Sequence, residues 1–176
     1  MITTAQIADV LDRYLNCYPD TYDSAYPLLR ALLHCDDLTS RKTFPLHVTC
    51  STAAVDDTGH VLVIKHQILG KWLFPGGHVD PDDTDLMGAA LRELEEETGI
   101  GPESVLPLGS TPFEIDVHPI PASPRRGEPA HSHADLAWAF HVTGGALVTL
   151  QQGEVTDYAW VEPTSEELRR LAVNVA

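Results

Sequence analysis

The sequence is poor in cysteine and in positive charge. Its 176 residues include three cysteines, Cys17, Cys35 and Cys50. They are odd in number and widely spaced, with no C-x-x-C pair, which argues against a disulfide framework or a cysteine-built zinc site. Unpaired thiols suit a reducing compartment, and Met1-Ile2-Thr3-Thr4 lacks the basic stretch of a secretory signal, so a cytoplasmic location is expected. No run of residues approaches the apolar length that spans a membrane. Lysine and arginine number 11 against 26 aspartates and glutamates, a formal net charge of −15. Such a chain has little to grip a nucleic acid backbone or an anionic membrane with, so neither is expected as a partner. P-loop, G-x-G-x-x-G and G-x-S-x-G motifs are absent, as are internal repeats and low-complexity segments. The length fits one domain with a terminal extension.

What is present is concentrated. Eight of the 26 acids lie between Gly77 and Gly99. The stretch Phe74–Ile100 opens on Pro75-Gly76-Gly77, which reads as a tight turn. It crosses an acidic loop and closes on Arg92-Glu93-Leu94-Glu95-Glu96-Glu97-Thr98-Gly99. In a helix, Glu93, Glu96 and Glu97 stand at i, i+3 and i+4 and share one face. Leu86, Ala90 and Leu94 form the opposite, buried stripe, and Gly99 is placed to cap the C-terminus. Three like charges on one face repel. A hard cation with oxygen ligands, such as Mg²⁺ bridging to a phosphate, gives a reason to keep them. A solvated acidic face is the ordinary reading of a charge run, but it leaves the Gly-Gly turn and the central Arg92 without a role.

This stretch resembles the Nudix box of the Nudix hydrolases (MutT-like). That signature is Gly, five residues, Glu, seven residues, then Arg-Glu-apolar-any-Glu-Glu-any-Gly-apolar. Arg92, Glu93, Leu94, Glu96, Glu97, Gly99 and Ile100 match its second half without gaps. In the first half, counting forward from Gly77 puts Asp83 at the acidic position. Counting back from Arg92 puts Thr84 there, with His78 at the glycine. One extra residue between Asp83 and Arg92 accounts for both, and Asp83 is then not expected to be a metal ligand. The resemblance implies a Nudix α/β/α sandwich with a mixed sheet, of α/β (α+β) class, over residues 46–176. Residues 1–45 form an N-terminal helical extension outside it. It also implies Mg²⁺, with Mn²⁺ as a substitute, held by Glu93, Glu96, Glu97 and the Gly77 carbonyl. Arg92 would orient a glutamate, Glu93 would serve as base, and Glu97 would complete the catalytic set. The expected activity is hydrolysis of the diphosphate linkage of a nucleoside diphosphate joined to another moiety. The alternatives are a non-catalytic Nudix-fold regulatory or nucleotide-binding domain, and an isoprenoid diphosphate isomerase. The isomerase needs a catalytic cysteine, and Cys50 is the one cysteine in the matched region.

Elsewhere, helices are expected over 3–16, with a Thr3/Gln6 capping box, and around Ser24–His34, with Leu28, Leu29, Leu32 and Leu33 apolar. Packing is the ordinary role for this pair; lining the pocket or forming a homodimer is the alternative. Strands are expected over Leu46–Val55, His60–His66, one or two within Val105–Val117, then Ser132–Val142, Leu147–Leu150 and Val155–Val161. Asp56-Asp57-Thr58-Gly59 reads as a hairpin turn and Pro119–Pro129 as a loop. Thr164 and Glu167 read as the capping box of a last helix. Alternation puts His131, His133 and Asp135 on one strand face. A His-x-His pair can bind zinc or iron, but the favoured role is pocket wall touching substrate, with His133 the substrate contact. Trp72, beside the Gly-Gly turn, and the loop pair Arg125 and Arg126 are the other candidates to meet substrate. Glu154, with Glu114 and Glu128 behind it, is a candidate further acid near the metal.

Overall fold

The computed structural model describes residues 1–145, 147–151 and 153–173. Its α-helices are α1 (Thr4–Cys17), α2 (Tyr22–Leu32), α3 (Leu86–Thr98) and α4 (Glu166–Val173). Its strands are β1 (Leu46–Val55), β2 (Val61–His66), β3 (Trp72–Leu73), β4 (Gly76–His78), β5 (Val105–Pro107), β6 (Glu114–Ile120), β7 (His131–Val142) and β8 (Val155–Val161). The fold is α+β, a mixed sheet with flanking helices and two helices ahead of it. Strands run in the order β3-β2-β1-β7-β5, while β4 pairs with β1, β6 with β7 and β8 with β2. By packing, the chain divides into two compact units. One comprises Met1–Cys50, His78–Ala89 and Glu114–Leu136; the other comprises Ser51–Gly77, Ala90–Phe113 and the chain from Ala137 onward.

The first unit starts from the expected cap. The Thr3 Oγ1 accepts the Gln6 N–H at 3.2 Å and the Gln6 Oε1 accepts the Thr3 N–H at 2.9 Å. This pairing satisfies two groups the first turn of α1 would leave open. Ile7, Leu11 and Tyr14 form the buried stripe of α1. A 3₁₀ turn, Pro19–Thr21, runs directly into α2, so this helix starts two residues before the expected Ser24. Ala25 and Leu28 are its buried positions. Leu33, expected on the apolar stripe, lies past the helix end and is exposed. The Ser132 N–H donates to the Pro45 carbonyl at 2.8 Å, setting the start of β7 beside the start of β1.

The second unit packs Ala53, Val55, Val61, Phe113, Ala137, Ala139, Leu168 and Ala172 into one core. β2 and β8 are antiparallel from Val61↔Val161 to Lys65↔Asp157, with a bulge at His66. Cys50 is fully buried within β1, a position that gives the isomerase reading no accessible thiol.

Three local expectations are corrected. Pro75–Gly77 is not a tight turn: Gly76 and Gly77 belong to strand β4, and neither has a positive φ. Leu147–Leu150 is not a strand. Within it the Thr149 N–H donates to the Thr98 carbonyl at 2.7 Å, and just past it the Gln151 N–H donates to the Glu97 carbonyl at 3.1 Å, both at the end of α3. Those are carbonyls a helix terminus leaves unpaired. Finally, Ser165 rather than Thr164 caps α4, its Oγ accepting the Leu168 N–H at 3.1 Å. Among the described residues no helix is long and apolar enough to cross a membrane.

Candidate active site

The acidic face of α3 is held from one residue of β1. The Thr52 side chain is fully buried, and its hydroxyl donates to the Ala90 carbonyl at 2.9 Å. Its amide donates to the Pro75 carbonyl at 2.8 Å. One threonine thus fixes both the body of the helix and the entry to β4. On the helix, Leu86, Ala90 and Leu94 are buried as the spacing predicts. Gly99 ends it with φ +71°, its amide donating to the Glu95 carbonyl at 2.8 Å.

The glycine of β4 is explained by closeness rather than by turning. A Cβ at Gly77 would lie 2.7 Å from the carboxylate carbon and both oxygens of Glu93. Only a residue without a side chain lets that carboxylate lie against the strand backbone. Next to it, the Gly76 N–H donates to the Glu97 Oε2 at 2.9 Å. β4 therefore presents its backbone to two of the three glutamates. Arg92 spans the cluster, with Nη1 2.9 Å from the Glu93 Oε1 and 3.2 Å from the Glu96 Oε2. Both arms are charge-assisted contacts of the kind that orient carboxylates.

The three carboxylates differ in burial. Glu97 is 5% exposed, Glu93 is half-buried and Glu96 is exposed. Burial pushes the Glu97 carboxyl up from its ordinary 4.5 to about 7, and the charges of Glu93, Glu154 and Glu96 add to the rise. The Gly76 hydrogen bond opposes it. Two or more acids crowded round one half-buried point are uncomfortable without a cation. All the ligand atoms are oxygens, the donor set hard divalent ions prefer. The site residues therefore fit such an ion.

The remaining candidates scatter. Glu154 contributes to this field, as its effect on Glu97 shows. Glu128 is in an ion pair with Arg41 at 3.1 Å, and Glu114 opens β6. Asp83 is engaged within its own loop, its Oδ2 accepting the Asp80 N–H at 2.7 Å. The Asp85 Oδ1 accepts the Gly88 N–H at 2.8 Å at the start of α3. Arg125 and Arg126 lie in the exposed 121–129 loop. Trp72 is 46% exposed and walls a cavity of about 550 Å³ with Phe74, Val161 and Pro163, the Lys65 Nζ standing 5.8 Å from its ring.

His133 lies in a group that sequence reading missed. Its ring centroid is 4.7 Å from that of His47, 5.1 Å from His78 and 5.3 Å from His131. Burial lowers the pKa of His133 to about 3 and of His78 to about 4, and lowers that of His47. Neighbouring histidines add to each depression, so the rings are neutral at pH 7. A signal was available: His47 and Thr49 alternate on β1 as His133 and Asp135 do on β7, and the Thr49 hydroxyl donates to the Asp135 Oδ1 at 2.8 Å.

A mixed sheet with flanking helices, and a helix whose carboxylates lie against a glycine strand, agree with the Nudix hydrolase fold that the sequence resemblance implies. The NUDIX domain family matches residues 45–174, and the chain belongs to it. It is 36% identical over 96 residues to a protein of Klebsiella aerogenes described as uncharacterized Nudix hydrolase NudL, covering 53% of this chain and 78% of that one. Against some other relatives of that description the chain spans about half their length, 49%. It is 31% identical over 126 residues to an RNA pyrophosphohydrolase of Erythrobacter litoralis, covering 62% of this chain and 69% of that one. The fold is similar to that of a C. elegans Ap4A hydrolase, with a TM-score of 0.52 at 20% identity, covering 72% of this chain and 92% of that one.

Proposed function

We propose that this chain is a Mg²⁺-dependent hydrolase that cleaves the diphosphate linkage of a nucleoside diphosphate joined to another moiety, with residues 46–176 carrying the reaction. The observation that supports this best is the placing of Glu97 and Glu93 against the β4 backbone, where Gly77 leaves room for one and Gly76 hydrogen-bonds the other. Glu93, Glu96 and Glu97, with the Gly77 carbonyl, would hold Mg²⁺ or Mn²⁺. When bound, the ion supplies charge neutralisation at phosphate oxygens and lowers the pKa of water. Arg92 keeps Glu93 and Glu96 in register. Glu93, half-buried and hydrogen-bonded to Arg92, would take the proton as base. Trp72 is the expected substrate contact that the geometry favours, an exposed ring on a cavity wall able to stack on a base. The net charge of −15 favours a small nucleotide over a polynucleotide.

The test is a screen of sugar nucleotides, ADP-ribose, dinucleoside polyphosphates and oxidised nucleoside triphosphates with Mg²⁺, reading released phosphate products. The reading expects one class to be turned over by wild type and not by Glu97→Gln. Tight nucleotide binding with no turnover of any compound would establish the non-catalytic domain instead.

A further inference from the structure

We propose that His47, His78 and His133 form a binding site for a first-row transition metal, Zn²⁺ by preference, with ligands other than the carboxylates of α3. A ring nitrogen of each of the three lies within 4.8 Å of the others. Tetrahedral zinc with bonds of about 2.0–2.1 Å sets its nitrogens roughly 3.4 Å apart. Side-chain movements of about 1 Å therefore close the cluster on an ion. The three come from three strands, β1, β4 and β7, so the frame behind them is rigid.

The second observation is a nitrogen left without a partner. The Nδ1 of His47 lies 3.1 Å from the Thr43 carbonyl. A carbonyl only accepts, so Nδ1 carries the proton and the lone pair is on Nε2. His47 is 1% exposed, and its Nε2 has no hydrogen-bond partner. Buried polar atoms are nearly always paired, and one that is not asks for an ion or water. A histidine that donates one N–H to a carbonyl and keeps the other nitrogen unprotonated is the arrangement that orients metal ligands. His131 repeats the device beside it, its Nδ1 donating to the Pro129 carbonyl at 2.8 Å with its ring stacked on His47 at 5.0 Å.

Ligand chemistry selects the metal. Imidazole nitrogens suit zinc, copper, iron or nickel, whereas Mg²⁺ takes oxygen. Three protein ligands leave a fourth tetrahedral position for water or an exogenous ligand. The inference is independent of the proposed hydrolase reaction, whose ligands are oxygens.

The experiment uses the full, tag-free chain stripped with chelator and titrated with Co²⁺ and Zn²⁺ in excess Mg²⁺. One equivalent of Co²⁺ should give the visible d–d absorption of a low-coordinate nitrogen site. Glu97→Gln should keep it. His78→Ala and His133→Ala should each weaken Zn²⁺ binding at least about 100-fold, the loss expected when even a supporting partner of a ligand is removed. Melts without metal check that each variant is folded. X-ray absorption on the zinc-loaded wild type needs no variant, and should show imidazole scatterers at about 2.0–2.1 Å. Failure to bind either metal in excess Mg²⁺, an oxygen-only shell, or binding abolished by Glu97→Gln but indifferent to both histidine variants would overturn the site.

Discussion

Replacing Glu97 by Gln should stabilise the metal-free protein above neutral pH, because the folded state disfavours this charge. The carboxyl rises from 4.5 to about 7 on folding, driven first by burial and then by repulsion from Glu93, Glu154 and Glu96. Folded protein therefore holds the proton more tightly than unfolded chain. Its contribution to stability is complete below pH 4.5 and is lost as pH rises through about 7. At about 1.4 kcal/mol per pH unit, the loss is about 3 kcal/mol. Glutamine keeps the shape and an oxygen for the Gly76 N–H but never ionises. The difference in stability between the two proteins should be near zero at about pH 4 and should grow to about 3 kcal/mol by about pH 8. For a chain of this size that is roughly 6–12 °C in Tm. Taking the difference cancels the titrating groups that do not interact with Glu97. Mg²⁺ should close most of this gap, since an ion that binds only the folded state at 100 times its Kd adds about 2.7 kcal/mol to wild type and less to the variant. The assay is paired thermal melts across pH, in EDTA and in Mg²⁺. A difference that stays flat with pH would refute the burial argument, and equal Mg²⁺ gains would remove Glu97 from the metal site.

Gly77→Ala should leave the melt nearly unchanged, because the colliding group is the end of a flexible side chain. It should nevertheless lower turnover about 100-fold by displacing the Glu93 carboxylate by roughly 1 Å; normal kinetics would remove the close approach from the mechanism. Asp83→Asn should change Mg²⁺ affinity little, since its carboxylate is used on the Asp80 amide; a large loss in calorimetry would mean that the loop, not only α3, holds the ion. Thr3→Ala should cost about 1 kcal/mol through the lost cap of α1, read as a Tm lower by roughly 2–4 °C with activity intact.

The sequence by itself determined what is local. Thr3 and Gln6 are one helical turn apart, so their capping box follows from the chain alone. Glu93, Glu96 and Glu97 share a face because 3.6 residues make a turn, and Leu86, Ala90 and Leu94 must then be buried. The strands Leu46–Val55 and Val155–Val161 were legible from apolar content and flanking turn residues. Only the tertiary structure decided where strands bring distant residues. Pro75-Gly76-Gly77 has the composition of a turn, and nothing nearby in sequence reveals that Gly77 is small because Glu93 lies against it. Leu147–Leu150 has strand residues, but the Thr149 amide in it and the Gln151 amide just past it answer to the carbonyls of Thr98 and Glu97. His47, His78 and His133 are unremarkable singly and far apart along the chain. Hydrogen bonds between strands bring them together, and that pairing is set by the whole sheet, not by any window of sequence.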